Sequence, residues 1–266
     1  MASPIVNERK RFVFTVTTGR SGTKFLAKIL SIFRCIDSFH EPPPYFFDVL
    51  RDVQSDPAIA KDFLINAKIP HIYSNYSDKK IYVETSHFFC KGFFEAWVSL
   101  DDVPLPELII LNRNPRQVAL SMYQLSTIPQ RTKSGLKYYL SPTDKMNYTR
   151  LRNWNEMNNY QLCYWYCLEI EERKKIYSDY IRQKGGLVAT TSIDELKKFR
   201  GFFALKKALQ LPHISMSEFL KYFFLRMYPQ NKKNYAKKNP TKYSSRELDA
   251  FEEEVREQTY RTDNAL

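Results

Sequence analysis

Gly19-Arg20-Ser21-Gly22-Thr23-Lys24 follows the β-type run Phe12 to Thr17 and precedes apolar Phe25, Leu26, Ile29 and Leu30 at helical spacing. This reads as strand, tight turn, helix. The backbone N–H groups of residues 19 to 24 can converge there on an anion, because a helix N-terminus has unpaired donors and a favourable dipole. Arg20, Ser21, Thr23 and Lys24 add side-chain donors around Gly22. The turn is not a Walker A loop, which needs four residues between its glycines and a Gly-Lys-Ser/Thr ending. A Gly-Ser-Gly turn also joins strands to helices without any ligand. The anion reading is favoured because two cations crowd a turn that needs none structurally.

A second basic strand end lies downstream. Leu108 to Leu111 is a wholly apolar run of the kind found in buried parallel strands. It ends in Asn112-Arg113, and Asn114-Pro115 then supplies a helix cap and a proline at the first helical position. Magnesium-dependent nucleotide hydrolases carry an acid at such a strand end. Here the residue is Arg113, which grips an anion without a metal. Ser121, two helical turns on, can present its hydroxyl to the same pocket. Read structurally, Arg113 is an ion-pair partner and Ser121 a packing residue.

Two candidates for proton transfer remain. His40-Glu41 precedes Pro42-Pro43-Pro44, so the carboxylate is held at an extended corner beyond a second strand, where it can accept a proton from a bound hydroxyl. Glu84-Thr85-Ser86-His87 closes the strand-like run starting at Lys80, and a histidine there titrates near neutrality. Either can equally be structural.

The chain that must position these groups has 266 residues, 43% of them hydrophobic. That suffices for one α/β domain spanning 1–266. The expected architecture is a three-layer, P-loop-like fold with a mainly parallel central sheet flanked by helices. A formal charge of +12 favours anionic partners without choosing among nucleotide, nucleic acid and membrane surface. The polar N-terminus and the lack of a spanning apolar run point to a cytoplasmic protein with no transmembrane segment, and the four scattered cysteines to reduced thiols. Residues 57–67 read as helix, 126–148 as a long loop or lid, 153–183 as the longest helix, 187–191 as a late strand and 215–228 as helix. Asn231 to Pro240 is a basic linker, and Ser244 with Glu247 forms a capping box that opens the last helix.

Thr18-Gly-Arg-Ser-Gly-Thr23 and Arg113-Asn-Pro-Arg-Gln-Val-Ala-Leu-Ser121, in that order, resemble the 5′-phosphosulfate loop and the 3′-phosphate motif of PAPS-dependent sulfotransferases. The resemblance implies that Arg20, with Ser21, Gly22, Thr23 and Lys24, takes the 5′-phosphosulfate and that Arg113 and Ser121 take the 3′-phosphate. It also implies that the C-terminal basic loop, with Lys232, Lys233, Lys237 and Lys238, returns to the 3′-phosphate end. Glu41 is placed like the catalytic Glu of bacterial and Golgi-type members, and Thr85-Ser-His87 resembles the Lys-Thr-His of cytosolic members. Thr85 replaces their lysine, which moves the expected base from His87 to Glu41 and leaves His87 and Glu84 for the substrate pocket. The implied activity is sulfonate transfer from PAPS, without a metal and with release of PAP, to a hydroxyl or amine of a small acceptor such as a natural product. Two other classes use some of the same features. A P-loop kinase-like phosphotransferase requires a Gly-Lys-Ser/Thr loop and a metal-binding acid, neither of which stands in its place. A basic nucleic-acid-binding protein requires exposed aromatics interleaved with cations, whereas the aromatics here follow apolar helical patterns.

Overall fold

The computed structural model describes residues 10–76, 79–227 and 242–262. In chain order it contains β1 (Arg11–Val16), α1 (Thr23–Leu30), β2 (Ile36–Phe39), α2 (Phe46–Ser55) and α3 (Ala58–Phe63), which runs through a π-helical turn, Leu64–Lys68, into α4 (Ile69–Asn75). β3 (Ile81–Glu84), α5 (Phe93–Val98), β4 (Glu107–Asn112), α6 (Pro115–Gln124), α7 (Lys133–Tyr138), β5 (Thr149–Leu151) and α8 (Asn159–Gln183) follow. The chain continues through β6 (Val188–Ser192), α9 (Ile193–Leu196), α10 (Phe199–Ala208), α11 (Met216–Met227), α12 (Ser245–Gln258) and β7 (Thr259–Arg261).

The central sheet has the order β2-β3-β1-β4-β6, and every pairing in it is parallel. Strand alternation divides its side chains between two cores. Phe12, Phe14, Val16, Leu108 and Ile110 face one core, while Val13, Ile109 and Leu111 face the other. Burial of both faces is why β1 and β4 are largely apolar between their ends, and it makes the fold three-layered, as the sequence led us to expect. β5 and β7 form a separate antiparallel pair.

All five strands of the central sheet run the same way, so the segments after β1, β2, β3 and β4 emerge at one carboxyl edge. The strand order reverses across β1, with β3 on one side and β4 on the other. Open α/β sheets bind ligands at such a point.

Several boundaries differ from the sequence reading. The long helix begins at Asn159 rather than 153, because Asn158 and Gln161 close a capping box there. The expected lid over 126–148 contains helix α7, capped by Thr132. The helix expected over 57–67 extends to Asn75, the π-helical turn carrying the chain into a segment with Pro70 in its first turn. Asn114 caps α6, with Pro115 at its start, and Ser244 with Glu247 caps α12 as expected. Among the described residues no helix is long and apolar enough to cross a membrane.

Candidate anion-binding and proton-transfer site

The turn after β1 is laced to the strands on either side. Thr17 Oγ1 donates to the Leu111 carbonyl at 2.8 Å and Thr15 Oγ1 to the Ser86 carbonyl at 2.6 Å. Buried Ser21 shares a 2.8 Å hydrogen bond with Thr18. Arg20 has φ 66° and Gly22 φ 90°, so the chain passes twice through the left-handed region before Phe25 N and Leu26 N bond the Gly22 carbonyl and start α1. A Cβ at Gly22 would overlap the Ile193 side chain. Gly22→Ala is therefore expected to lower stability by about 1–3 kcal/mol, from the left-handed backbone together with that overlap. Urea unfolding checks this, and an unchanged midpoint would refute it.

The sheet brings three of the expected anion ligands together. Arg113 follows β4, and its Nη1 donates to the Arg20 carbonyl. Arg20 Nε reaches Ser121 Oγ at 3.5 Å, the outer limit of a hydrogen bond. Thr23 is buried at the start of α1 and Lys24 beside it is exposed. Lys232, Lys233, Lys237 and Lys238 lie outside the described residues.

The proton-transfer candidates meet at the same edge. Glu41, just past β2, has φ 49°, a sparsely populated conformation for a non-glycine residue. One carboxylate oxygen lies 3.8 Å from His87 Nε2 and the other 3.8 Å from His40 Nε2. Gly19 lies against the Cε1–Nδ1 edge of the imidazole, since a Cβ there would sit 3.3 Å from His87 Cε1 and Nδ1. His87 thus neighbours both the anion turn and the carboxylate. Thr85 knits the two loops: its hydroxyl reaches the Thr23 carbonyl at 3.0 Å and its carbonyl meets His40 Nδ1 at 2.8 Å. Burial raises the pKa of Glu41 although Lys91 and Lys24 oppose it. Burial holds His87 well below the usual imidazole value, with Lys91, His40 and Arg20 adding to the effect. The imidazole is neutral at pH 7.

Two lysines were not legible as site residues. Fully buried Lys91 sits over the rings of Phe88, Tyr139 and Tyr166, bonds His87 Nδ1 at 2.8 Å and donates to the Tyr138 carbonyl. Burial brings its pKa down to about 7. As an ammonium Lys91 can only donate, and in that state His87 Nδ1 accepts and the imidazole proton sits on Nε2, facing Glu41. Lys68 is also wholly buried and donates to the carbonyls of Pro42 and Pro44, each at 3.0 Å, while pairing with Glu84 at 2.8 Å. It clamps the proline corner that carries Glu41. Glu84, expected in the substrate pocket, is a buried partner of Lys68 and Tyr82. It also borders a tight cleft shared by Glu41, Tyr45, Phe47 and Phe88. Among the described residues no group of three or more His, Cys, Asp or Glu is arranged to hold a metal ion.

No family model matches the chain, and no curated protein does. Among solved structures, the sulfotransferase domain from the curacin biosynthetic pathway superposes with a TM-score of 0.53 at 13% identity, over 80% of this chain and 78% of that one. At that identity the likeness shows a shared fold.

Proposed function

We propose that the chain transfers a sulfonate group from PAPS to a hydroxyl or amine of a small acceptor. The observation that carries this reading is the convergence of Arg20, Arg113 and Ser121 at one sheet edge with the Glu41–His87 pair. A doubly phosphorylated adenosine has two anionic ends, and the adjoining strand tips carry a cation each. The fit rests on the donor set: Arg20, Lys24 and the turn at Gly22 for one end, and Arg113 with Ser121 for the other. The Gly22 position has no room for a Cβ, which keeps backbone at the bottom of the turn.

PAPS, when bound, supplies an activated sulfonate and an anionic leaving group. Arg20 and Lys24 hold the anionic charge at the turn, and Arg113 fixes the far end, so binding energy is spent on orientation. Glu41 takes the proton from the acceptor, and its burial makes it a better base than an ordinary carboxylate. His87, with its proton held on Nε2 by Lys91, acts as a hydrogen-bond donor beside that carboxylate. This division of roles separates the two candidate bases. The Tyr45, Phe47 and Phe88 side chains close against Glu41 on one side and leave no room there for a water molecule.

Calorimetric titration of adenosine 3′,5′-bisphosphate tests the binding half. Micromolar or tighter binding is expected, and Arg113→Ala should weaken it about ten- to a hundredfold through loss of a charge-assisted contact. Tighter binding of ATP with magnesium, or an affinity indifferent to Arg113→Ala, would remove the proposal.

A further inference from the structure

Helix α11 is apolar on the side that faces away from the protein. Its inner side is pinned: Tyr222 is fully buried, stacks on Phe202 at 3.9 Å and donates to the Leu196 carbonyl at 2.9 Å. Glu218, also buried, accepts from Arg34 N at 2.9 Å and Ser215 N at 2.7 Å. These contacts fix the helix rotation. Met216, Leu220 and Met227 then fall opposite the buried side, at 74%, 49% and 65% exposure, with Phe224 beside them at 59%. Phe203 of α10, 41% exposed, extends the patch, its ring 6.4 Å from that of Phe219. A helix needs one apolar stripe to join a core, and a second stripe on the opposite side has no use within the described fold.

The charges around the patch have one sign. Arg200 and Lys207 of α10 and Lys221 of α11 are exposed, as are Lys197 and Lys198 just before α10. The one acid on these two helices is the buried Glu218, and Asp194 and Glu195 in α9 are the nearest exposed acids along the chain. A two-fold pairing of chains through this face would set the cations against their own copies. The patch runs about 16 Å along α11, with a flexible methionine at each end.

The geometry points to an anionic lipid surface as the partner of the α10–α11 face. The helix axis would lie along the membrane plane, with Met216, Leu220, Phe224 and Met227 in the acyl boundary and Arg200, Lys207 and Lys221 among acidic headgroups. Neither helix supplies a residue to the Arg20–Glu41 site, so this surface stands whatever reaction that site performs.

Co-sedimentation of the full chain with vesicles tests the proposal. Vesicles of one part phosphatidylglycerol to two parts phosphatidylcholine are expected to pull the chain down, and phosphatidylcholine alone far less. Replacing Leu220 and Phe224 together by Ser leaves the charge unchanged and should weaken binding about tenfold or more through lost apolar burial. Circular dichroism and bisphosphate titration should match the parent chain. Lys207→Glu with Lys221→Glu should remove the preference for acidic vesicles. The proposal is overturned if the chain stays in the supernatant, or if the Ser pair binds acidic vesicles as well as the parent, which would leave only general charge attraction. It is equally overturned if sedimentation equilibrium finds a dimer that the Ser pair dissociates, or if the parent chain ignores vesicles but captures an acidic amphipathic peptide through Leu220 and Phe224.

Discussion

Glu41→Gln is expected to lower kcat for sulfonate transfer by about 10²–10⁴-fold, the usual contribution of a positioned general base, while leaving bisphosphate affinity within about twofold. The amide keeps the size and position of the carboxylate but cannot take a proton. His87→Gln should cost less, because an imidazole whose Nδ1 accepts from Lys91 has no lone pair on Nε2 and loses only a donor. Equal losses in the two variants would contradict this division of labour. The pH profile offers a second reading of the same assignment. Glu41 must be ionised, and its pKa is raised by burial, so kcat/KM should climb through a range above the ordinary carboxylate value. Lys91 titrates at about 7. Once it is neutral it can accept from Nδ1–H, which releases the histidine tautomer, and the rate should fall as pH passes that value. Lys91→Met should erase the upper limb of the profile, whereas a limb that persists with its midpoint unmoved would assign it to another group.

What the sequence disclosed, and what it withheld, follows from how local each signal is. The turn around Gly22 was legible because two glycines and two cations between a β-type run and a helical pattern lie within a single short segment. Arg113 and Ser121 were legible because the Asn114-Pro115 start fixes the helix phase and places a residue two turns on near the strand end. Lys68 gave no comparable signal. Its partners lie 16 positions away at Glu84 and up to 26 away at Pro42, and Pro70 reads as a helix end that the π-helical turn in fact bridges. Lys91 had a weak one, since His87 and Lys91 stand four apart around Phe-Phe-Cys in a tight turn, but only burial shows that its charge is spent inside the protein. The left-handed conformations of Arg20 and Glu41 were equally invisible, because neither residue type announces them. The outward stripe of α11 is the opposite case. Its apolar pattern is plain in the sequence, yet the pattern cannot say which side is buried until Tyr222 and Glu218 are seen facing inward.

Lys68→Met is expected to be the most destabilising single change at the site, at about 3–5 kcal/mol near neutral pH, because it leaves the Glu84 carboxylate buried without its cation. The cost should depend on pH in a definite direction. Burial already raises the Glu84 pKa with Lys68 present, and removing the cation raises it further, so the variant takes up a proton on folding. A group of this kind favours the folded state most below its unfolded value, and that contribution is lost as pH rises through the folded one. The gap between Lys68→Met and the parent chain should therefore narrow on acidification and widen toward alkaline pH in urea unfolding. Adding Glu84→Leu should recover most of the loss, since two apolar side chains replace the broken pair, with Tyr82 giving up its 2.9 Å hydrogen bond to the carboxylate. Turnover separates the clamp from simple stability. The Lys68→Met/Glu84→Leu chain regains its fold but not the bonds to the Pro42 and Pro44 carbonyls. The corner bearing Glu41 should then be looser, with kcat reduced about tenfold or more and bisphosphate affinity preserved. Full recovery of kcat in that chain would show that the prolines alone hold Glu41 in place and that Lys68 serves the core.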